Sequence, residues 1–266
     1  SLLTQVSKGF MADVIINTNL NLLPSTEIKR FFPSSVVVGL IASPLPLRRM
    51  LKDYDHVFSS LVPIREKIEK MGINTSILPS AFDASNYEEL CLNWSERDID
   101  LVFVGSIGIH HLRGIMLLRE IKKLNPNLEI YTDASPALLR IFGLHSSYRG
   151  KAYGHAMLAI LGRSKVSINR HAWFARGYSN NKRMYESTGM GAALLTEMSP
   201  NLHKFFSKGE VLAYRGHKDA ARISEMALKE EEMTRQLAEK GRERCLNDHH
   251  SSARVHQILE TVRRLQ

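Results

Sequence analysis

Leu101-Val102-Phe103-Val104-Gly105-Ser106-Ile107-Gly108 is the stretch on which the fold turns. Four large apolar residues in succession read as a strand covered on both faces, and the glycines that follow supply a tight turn. Leu112 to Leu124 then carries apolar residues at helical spacing, and Leu128-Glu-Ile-Tyr131 is strand-like again. Strand, glycine turn, helix and strand make the βαβ unit of a parallel sheet. The alternation continues downstream. His155–Leu161 and Lys182–Thr188 read as helices, Lys165–Ile168 and Ala193–Thr196 as strands. From about Lys218 to Leu265 the period is helical, with breaks expected near Gly241 and Asn247.

Upstream, Asp13–Asn17, Val36–Ile41, His56–Ser60 and Thr75–Leu78 read as strands, with a helix over Pro63–Met71 that has proline in its first turn and Gly72 beyond its end. Residues 80–98 are polar, hold several turn formers and lack a period, which marks a domain boundary. The predicted fold class is α/β with two Rossmann-like domains facing a cleft. Residues 1–90 form the first domain, residues 91–250 the second, and residues 251–266 a helix packing back on the first. Ligands of open parallel sheets bind beyond the carboxyl ends of the strands. The loops Gly105–Arg113 and Asn169–Asn181 are therefore the candidates.

With 44% hydrophobic and 24% charged residues over 266 positions, the chain is neither disordered nor fibrous. No run approaches the roughly 18 apolar residues of a membrane span. Two cysteines, Cys91 and Cys245, cannot make a disulfide framework or a four-thiolate zinc site, and no secretory signal is visible, so a cytoplasmic location is expected.

The formal charge of +9 is unevenly placed. Residues 1–90 hold nine basic and nine acidic side chains, so the whole excess lies beyond them. Between Asp133 and Glu186 there is no acid but nine bases: Arg140, Arg149, Lys151, Arg163, Lys165, Arg170, Arg176, Lys182 and Arg183. Such a run is a solvated face, a polyanion-binding surface or a compact phosphate site. Aromatic residues in the run lack the paired spacing of single-strand nucleic-acid binders, so no nucleic-acid partner is expected. A phosphate site is favoured by the run's end. Ser179, Asn180 and Asn181 are helix-capping types, and Lys182 and Arg183 sit in the first turn of a helix, where cations are unfavourable unless an anion faces them. Glu186 follows Arg183 by one turn, which suits either an intrahelical ion pair or a carboxylate that accepts both hydroxyls of a ribose.

The ordered set Ser164-Lys-Val-Ser-Ile-Asn-Arg-His171, then Asn180-Asn-Lys-Arg-Met-Tyr-Glu-Ser-Thr-Gly-Met-Gly-Ala-Ala-Leu-Leu-Thr-Glu197, then Asn201-Leu-His-Lys-Phe-Phe-Ser-Lys-Gly-Glu-Val-Leu-Ala-Tyr-Arg215, resembles the C-terminal half of bacterial glycosyltransferases of the GT-B fold, group-1-like and of the spore-maturation and polysaccharide-assembly type. The similarity runs from about Leu101 to Leu265, and the first domain is short for such an enzyme. The resemblance implies a nucleotide-sugar donor on the C-terminal domain, a glycan or lipid-linked acceptor on the N-terminal one, and transfer without metal or other cofactor. By position, Glu186 matches the ribose-gripping carboxylate, and Arg183 and Lys165 match cations facing the diphosphate. Gly105-Ser106 matches the glycine turn, while Asn169, His171 and Asn181 match pocket positions. His171, Arg183 and Lys165 are then the catalytic candidates. Tyr178 stands eight residues before Glu186, where many configuration-retaining relatives carry a second glutamate, so the stereochemical outcome stays open.

A departing nucleoside phosphate gains negative charge, and fixed cations aimed at it stabilise the transition state. Asp53-Tyr-Asp55 and Asp98-Ile-Asp100 have the spacing of a metal-binding pair but read as loop residues. The adjacent pairs His110-His111 and His249-His250 read as surface residues. An inverting reaction needs a general base, expected from the first domain, where Asp13 and the neighbours of Asn17-Thr-Asn19 are candidates and nothing in the sequence singles one out. The basic surplus also suits peripheral association with an anionic membrane. Two other function classes fit the same sequence: a non-catalytic nucleotide-binding partner subunit, and a basic polyanion- or membrane-surface binder.

Overall fold

The computed structural model describes residues 2–107 and 112–266. They form two compact units: Ser1–Ser80 with Ala172–Asn181 and Ser251–Gln266, and Ala81–His171 with Lys182–His250.

In the first unit, α1 (Leu2–Gly9), α2 (Ser25–Phe31) and α3 (Val62–Glu69) accompany β1 (Val14–Asn17), β2 (Val36–Ile41), β3 (His56–Ser59) and β4 (Thr75–Ile77). The strands are all parallel, in the order β1-β2-β3-β4. Successive side chains of a strand point to opposite faces, and the unbroken apolar runs serve both. Val37 and Val57 pack with Ile28, Ile64 and Ile68 on one face. Val38 and Phe58 pack with Ile258 and Val262 on the other. Those last two belong to the C-terminal helix, Ser251–Arg263, which is further tied by Gln257 Nε2 donating to Ile77 O (2.8 Å) and Arg254 Nε donating to Pro79 O (3.0 Å). The segment Ala172–Asn181 adds Ala175 to the core and an amide clamp: Asn180 accepts from Ser80 N (3.0 Å) and donates to Ser60 O (2.6 Å).

The division falls after Ser80 rather than at residue 90. Phe82 and Ala84 pack into the second unit against Leu161, Tyr185 and Met190, and Leu92 N donates to Gly162 O (3.2 Å). The polar stretch is a run of 3-10 turns on the second unit's surface, at Ala84–Leu90 and Trp94–Glu96.

The second unit contains β5 (Ile99–Val104), α4 (Leu112–Leu124), β6 (Glu129–Tyr131), α5 (Pro136–Ile141), β7 (Tyr148–Gly150), α6 (Gly154–Gly162), β8 (Ser164–Ile168), α7 (Lys182–Gly189), β9 (Ala193–Glu197), β10 (Leu212–Tyr214), α8 (His217–Lys229) and α9 (Glu231–Asp248). Its strands are parallel in the order β10-β9-β8-β5-β6-β7. This is the doubly wound Rossmann arrangement, whose order reverses between β5 and β8. Leu101, Val102, Phe103 and Val104 are all buried, divided between the two faces of the sheet.

The break expected at Gly241 does not occur. Gly241 lies inside α9, where the helix crosses another segment so closely that a β-carbon would stand 2.6 Å from Glu210 O. The glycine there permits contact rather than ending the helix. Arg97 is buried and, among the described residues, has no carboxylate partner. Its guanidinium donates to Ser164 O (2.7 Å) and Met190 O (3.1 Å), just past the ends of α6 and α7, where helices leave carbonyls unpaired.

Candidate active site

The reversal point of the second sheet is bounded by Val104, which ends β5, and Ile168, which ends β8. Arg183, in the first turn of α7, reaches back across it. Its Nε donates to Val104 O (3.1 Å) and its Nη2 lies 2.8 Å from Met157 Sδ. Glu186, one turn on, is 7% exposed and faces Arg183, with Nη1 to Oε2 at 2.9 Å; Lys182 Nζ stands 3.8 Å from the other oxygen. Burial lowers the Arg183 pKa and the Glu186 charge partly opposes that shift. A carboxylate and a guanidinium are thus held beside the free carboxyl end of the central strand.

Arg183 also lines a pocket of about 240 Å³ with Gly105 and Ser106, the turn after β5. The rest of its wall comes from the ends of the next two strands: Tyr131, Thr132 and Asp133 after β6, and Ala152 and Tyr153 after β7. Thr132 Oγ1 accepts from Ile107 N (3.2 Å) and Ala134 N (3.3 Å), and Ser106 Oγ donates to Asp133 (3.1 Å), so the loops are tied to each other. The rest of the glycine turn and the pair His110-His111 lie outside the described residues.

Asn169 and His171 follow β8 and are buried. Asn169 Nδ2 donates to Thr196 Oγ1 (2.8 Å), Tyr214 donates to Asn169 O (3.0 Å), and His171 Nε2 lies 3.3 Å from Glu197 O. Burial raises the pKa of Tyr214, which keeps its hydroxyl a donor. Asn181 belongs to the first unit, in the segment leading to α7, as does half-buried Tyr178.

Lys165 is not with the others. It is the second residue of β8, at the amino end of the strand, and its ammonium pairs with Glu231 (3.1 Å) and Asp100 (3.5 Å). Three residues of strand, about 10 Å, separate it from the carboxyl edge. Arg170, which the sequence reading counted only as one base of the acid-free run, stands beside Asn169 and His171. Its guanidinium packs on the first turn of α4, where a β-carbon on Gly114 would stand 2.7 Å from Nε, and among the described residues it makes no ion pair. Burial lowers its pKa. The small residue at 114 was the available signal.

The acid-free run is not a single anion site. Arg163 is paired with Asp98, Arg149 with Glu129, and Lys165 with Asp100 and Glu231, all acids from outside the run. The same pairs engage both aspartates of Asp98-Ile-Asp100, and Asp55 is held by Lys29 (2.7 Å) and by Val37 N (2.7 Å). Asp13 precedes β1 and so stands at the amino end of its strand, opposite the edge where ligands bind. His249, expected at the surface, is buried among Tyr185, Phe205 and Phe206, with Nε2 2.8 Å from Phe205 O. No helix among the described residues is long and apolar enough to cross a membrane.

Solved structures share this architecture. The Anabaena HepE complex with UDP and glucose superposes with a TM-score of 0.75 at 10% identity, covering 98% of this chain and 80% of that one. A glycosyltransferase from Rickettsia africae gives 0.73 at 9% identity, over 99% and 79%. The pneumococcal O-GlcNAc transferase GtfA, in complex with UDP and GlcNAc, gives 0.61 at 12%, over 99% of this chain and 59% of that one. The two parallel sheets are those of the GT-B fold. No curated protein matches by sequence. Residues 113–260, more than half of the chain, match the sequence pattern described as glycosyl transferase-like, and the chain belongs to that family of group-1-like glycosyltransferases.

Proposed function

We propose that the protein transfers a sugar from a nucleotide-sugar donor, bound on the second unit, to a glycan or lipid-linked acceptor bound on the first. The observation that carries this reading is the Arg183–Glu186 pair, held beside the carboxyl end of β5 and next to the pocket of the Gly105-Ser106 turn. Arg183 would neutralise the diphosphate, with Arg170 in the role first assigned to Lys165. Glu186 would exchange its contacts with Lys182 and Arg183 for the ribose hydroxyls. Positive charge fixed before the reaction stabilises the departing nucleoside diphosphate without further reorganisation. Asn169 and His171 would complete the donor site on the second unit as hydrogen-bonding groups.

The reading is metal-independent, because Asp98, Asp100 and Asp55 of the two metal-pair spacings serve as partners to Arg163, Lys165 and Lys29. A donor class of this kind is consistent with the UDP-glucose complex of HepE. The acceptor side has polysaccharide or lipid-linked chemistry, in the cytoplasm or at an anionic membrane surface that attracts the basic chain.

A thermal-shift series with UDP, GDP, CDP, CMP and dTDP tests the donor site. The best nucleotide should raise the melting temperature of the wild type, and Glu186→Ala should lose that shift while keeping its unliganded melting temperature. Equal shifts in the two proteins would remove Glu186 from the site.

A further inference from the structure

The pocket beside Arg183 has a polar group that the transfer reaction itself does not use. Asp133 lines it, exposed, at the end of β6. One carboxylate oxygen accepts from Ser106 Oγ (3.1 Å), and the other lies 3.4 Å from Thr132 Oγ1. Among the described residues it has no cationic partner, although it stands at the start of the long stretch that holds nine bases and no acid. An ionised carboxylate has about four acceptor positions, so two hydroxyl contacts leave it able to accept more. Besides Thr132 and Arg183, the rest of the wall is mostly apolar or flat: Tyr131, Ala152, Met157 and the exposed Tyr153. That combination suits a planar heterocycle better than a hexose, which would need several polar partners. Stacking on Tyr153 is open to any base, because every base has a π face. The choice among bases therefore falls to Asp133.

The geometry points to Asp133 as the group that selects the donor's nucleobase, and to guanine as the base selected. This rests on the nucleotide-sugar reading above. A carboxylate only accepts, and guanine alone among the common bases presents two adjacent donors on one edge, N1–H and the exocyclic N2–H. Uracil offers a single N–H between two carbonyls, both of which a carboxylate repels. Cytosine and adenine offer one amine each, next to a ring nitrogen that accepts. A site built to hydrogen-bond a group discriminates strongly against ligands that lack it. With Arg183 on one wall for the phosphates and Glu186 at the ribose, the side of the same pocket formed by Asp133, Ala152 and Tyr153 is left for the base.

The test is calorimetric titration of the full chain with GDP, IDP, UDP and XDP, for the wild type and for Asp133→Asn. IDP is GDP without the exocyclic amine; XDP replaces that amine with a carbonyl. The wild type should bind GDP at least tenfold more tightly than IDP or UDP, as expected when a hydrogen bond to a charged group is lost. In Asp133→Asn the amide can accept from N1–H and donate to the xanthine carbonyl, so GDP should weaken at least tenfold and XDP should strengthen. The comparison of GDP with IDP needs no variant, and Asp133 is exposed enough for its replacement to fold. UDP binding best, or GDP affinity unchanged by Asp133→Asn, overturns the assignment and leaves the nucleotide-sugar reading standing. Binding of none of the four overturns the guanine assignment, and the nucleotide-sugar reading falls as well only if CDP, CMP and dTDP also fail to bind.

Discussion

Gly114→Ala separates the proposed anion site from the stability of the fold. Gly114 is the third residue of α4, and a β-carbon there would stand 2.7 Å from Arg170 Nε and 3.0 Å from Cδ. Ordinary contact is about 3.5 Å, so the guanidinium must retreat by roughly 0.8 Å. A displacement of that size at a charge positioned on a reacting group costs about 10- to 100-fold. The same change removes glycine from a helix, which by itself contributes up to about 1 kcal/mol of stability. The expected variant is therefore as stable as the wild type or more so, yet binds its best nucleoside diphosphate at least tenfold more weakly. Titration calorimetry gives the affinity and urea denaturation the stability. In an Arg170→Ala background the alanine should cost nothing further, because the two changes act through one group. Nucleotide affinity equal to wild type, or two losses that simply add, would refute the placement of Arg170 at the phosphates.

Three further outcomes follow from the same geometry. Lys165→Ala should leave nucleotide affinity unchanged and cost at most about 1 kcal/mol, since its ion pairs are partly exposed; a tenfold loss of affinity would restore it to the site. Arg97→Met leaves the carbonyls of Ser164 and Met190 buried without donors and should cost about 3 kcal/mol in denaturant unfolding, and a loss below about 1 kcal/mol would show that water replaces the guanidinium. His56 is buried and its pKa is lowered by desolvation from 6.5. The unfolded chain therefore takes up a proton first as the pH falls. Stability should be highest above about pH 6.5 and decline below it by at most about 1.4 kcal/mol per pH unit. His56→Gln, which can keep the contact with Ser76 Oγ (2.9 Å) without titrating, should flatten that dependence in urea midpoints taken from pH 7.5 to 5.

What sequence reading could reach depended on how far each signal travels along the chain. The long buried strands β2, β5, β8 and β9 are legible because parallel sheets demand unbroken apolar runs. The three-residue strands β7 and β10 are not, because Tyr-Arg-Gly and Leu-Ala-Tyr carry no pattern, and neighbouring strands alone make them extended. In the candidate site, the Arg183–Glu186 ion pair was legible because one helical turn joins the two residues. Lys165 entered the candidate site by positional resemblance alone, although a strand over Lys165–Ile168 already puts it at the amino end, away from the edge where ligands bind. Arg170 and Asp133 escaped because what distinguishes them is a neighbour far away in sequence, Gly114 for one and Ser106 for the other.

The first unit gathers its core from three separate lengths of chain, closing with Ile258 and Val262 of the final helix. During synthesis, then, the amino-terminal sheet emerges first but must wait with Val38 and Phe58 uncovered until nearly everything else has been translated. The second unit, whose own residues end at His250, can finish before it. A recombinant fragment stopping at residue 90 would expose that same apolar surface permanently, so aggregation of such a fragment would say nothing against the integrity of the sheet in the intact polypeptide.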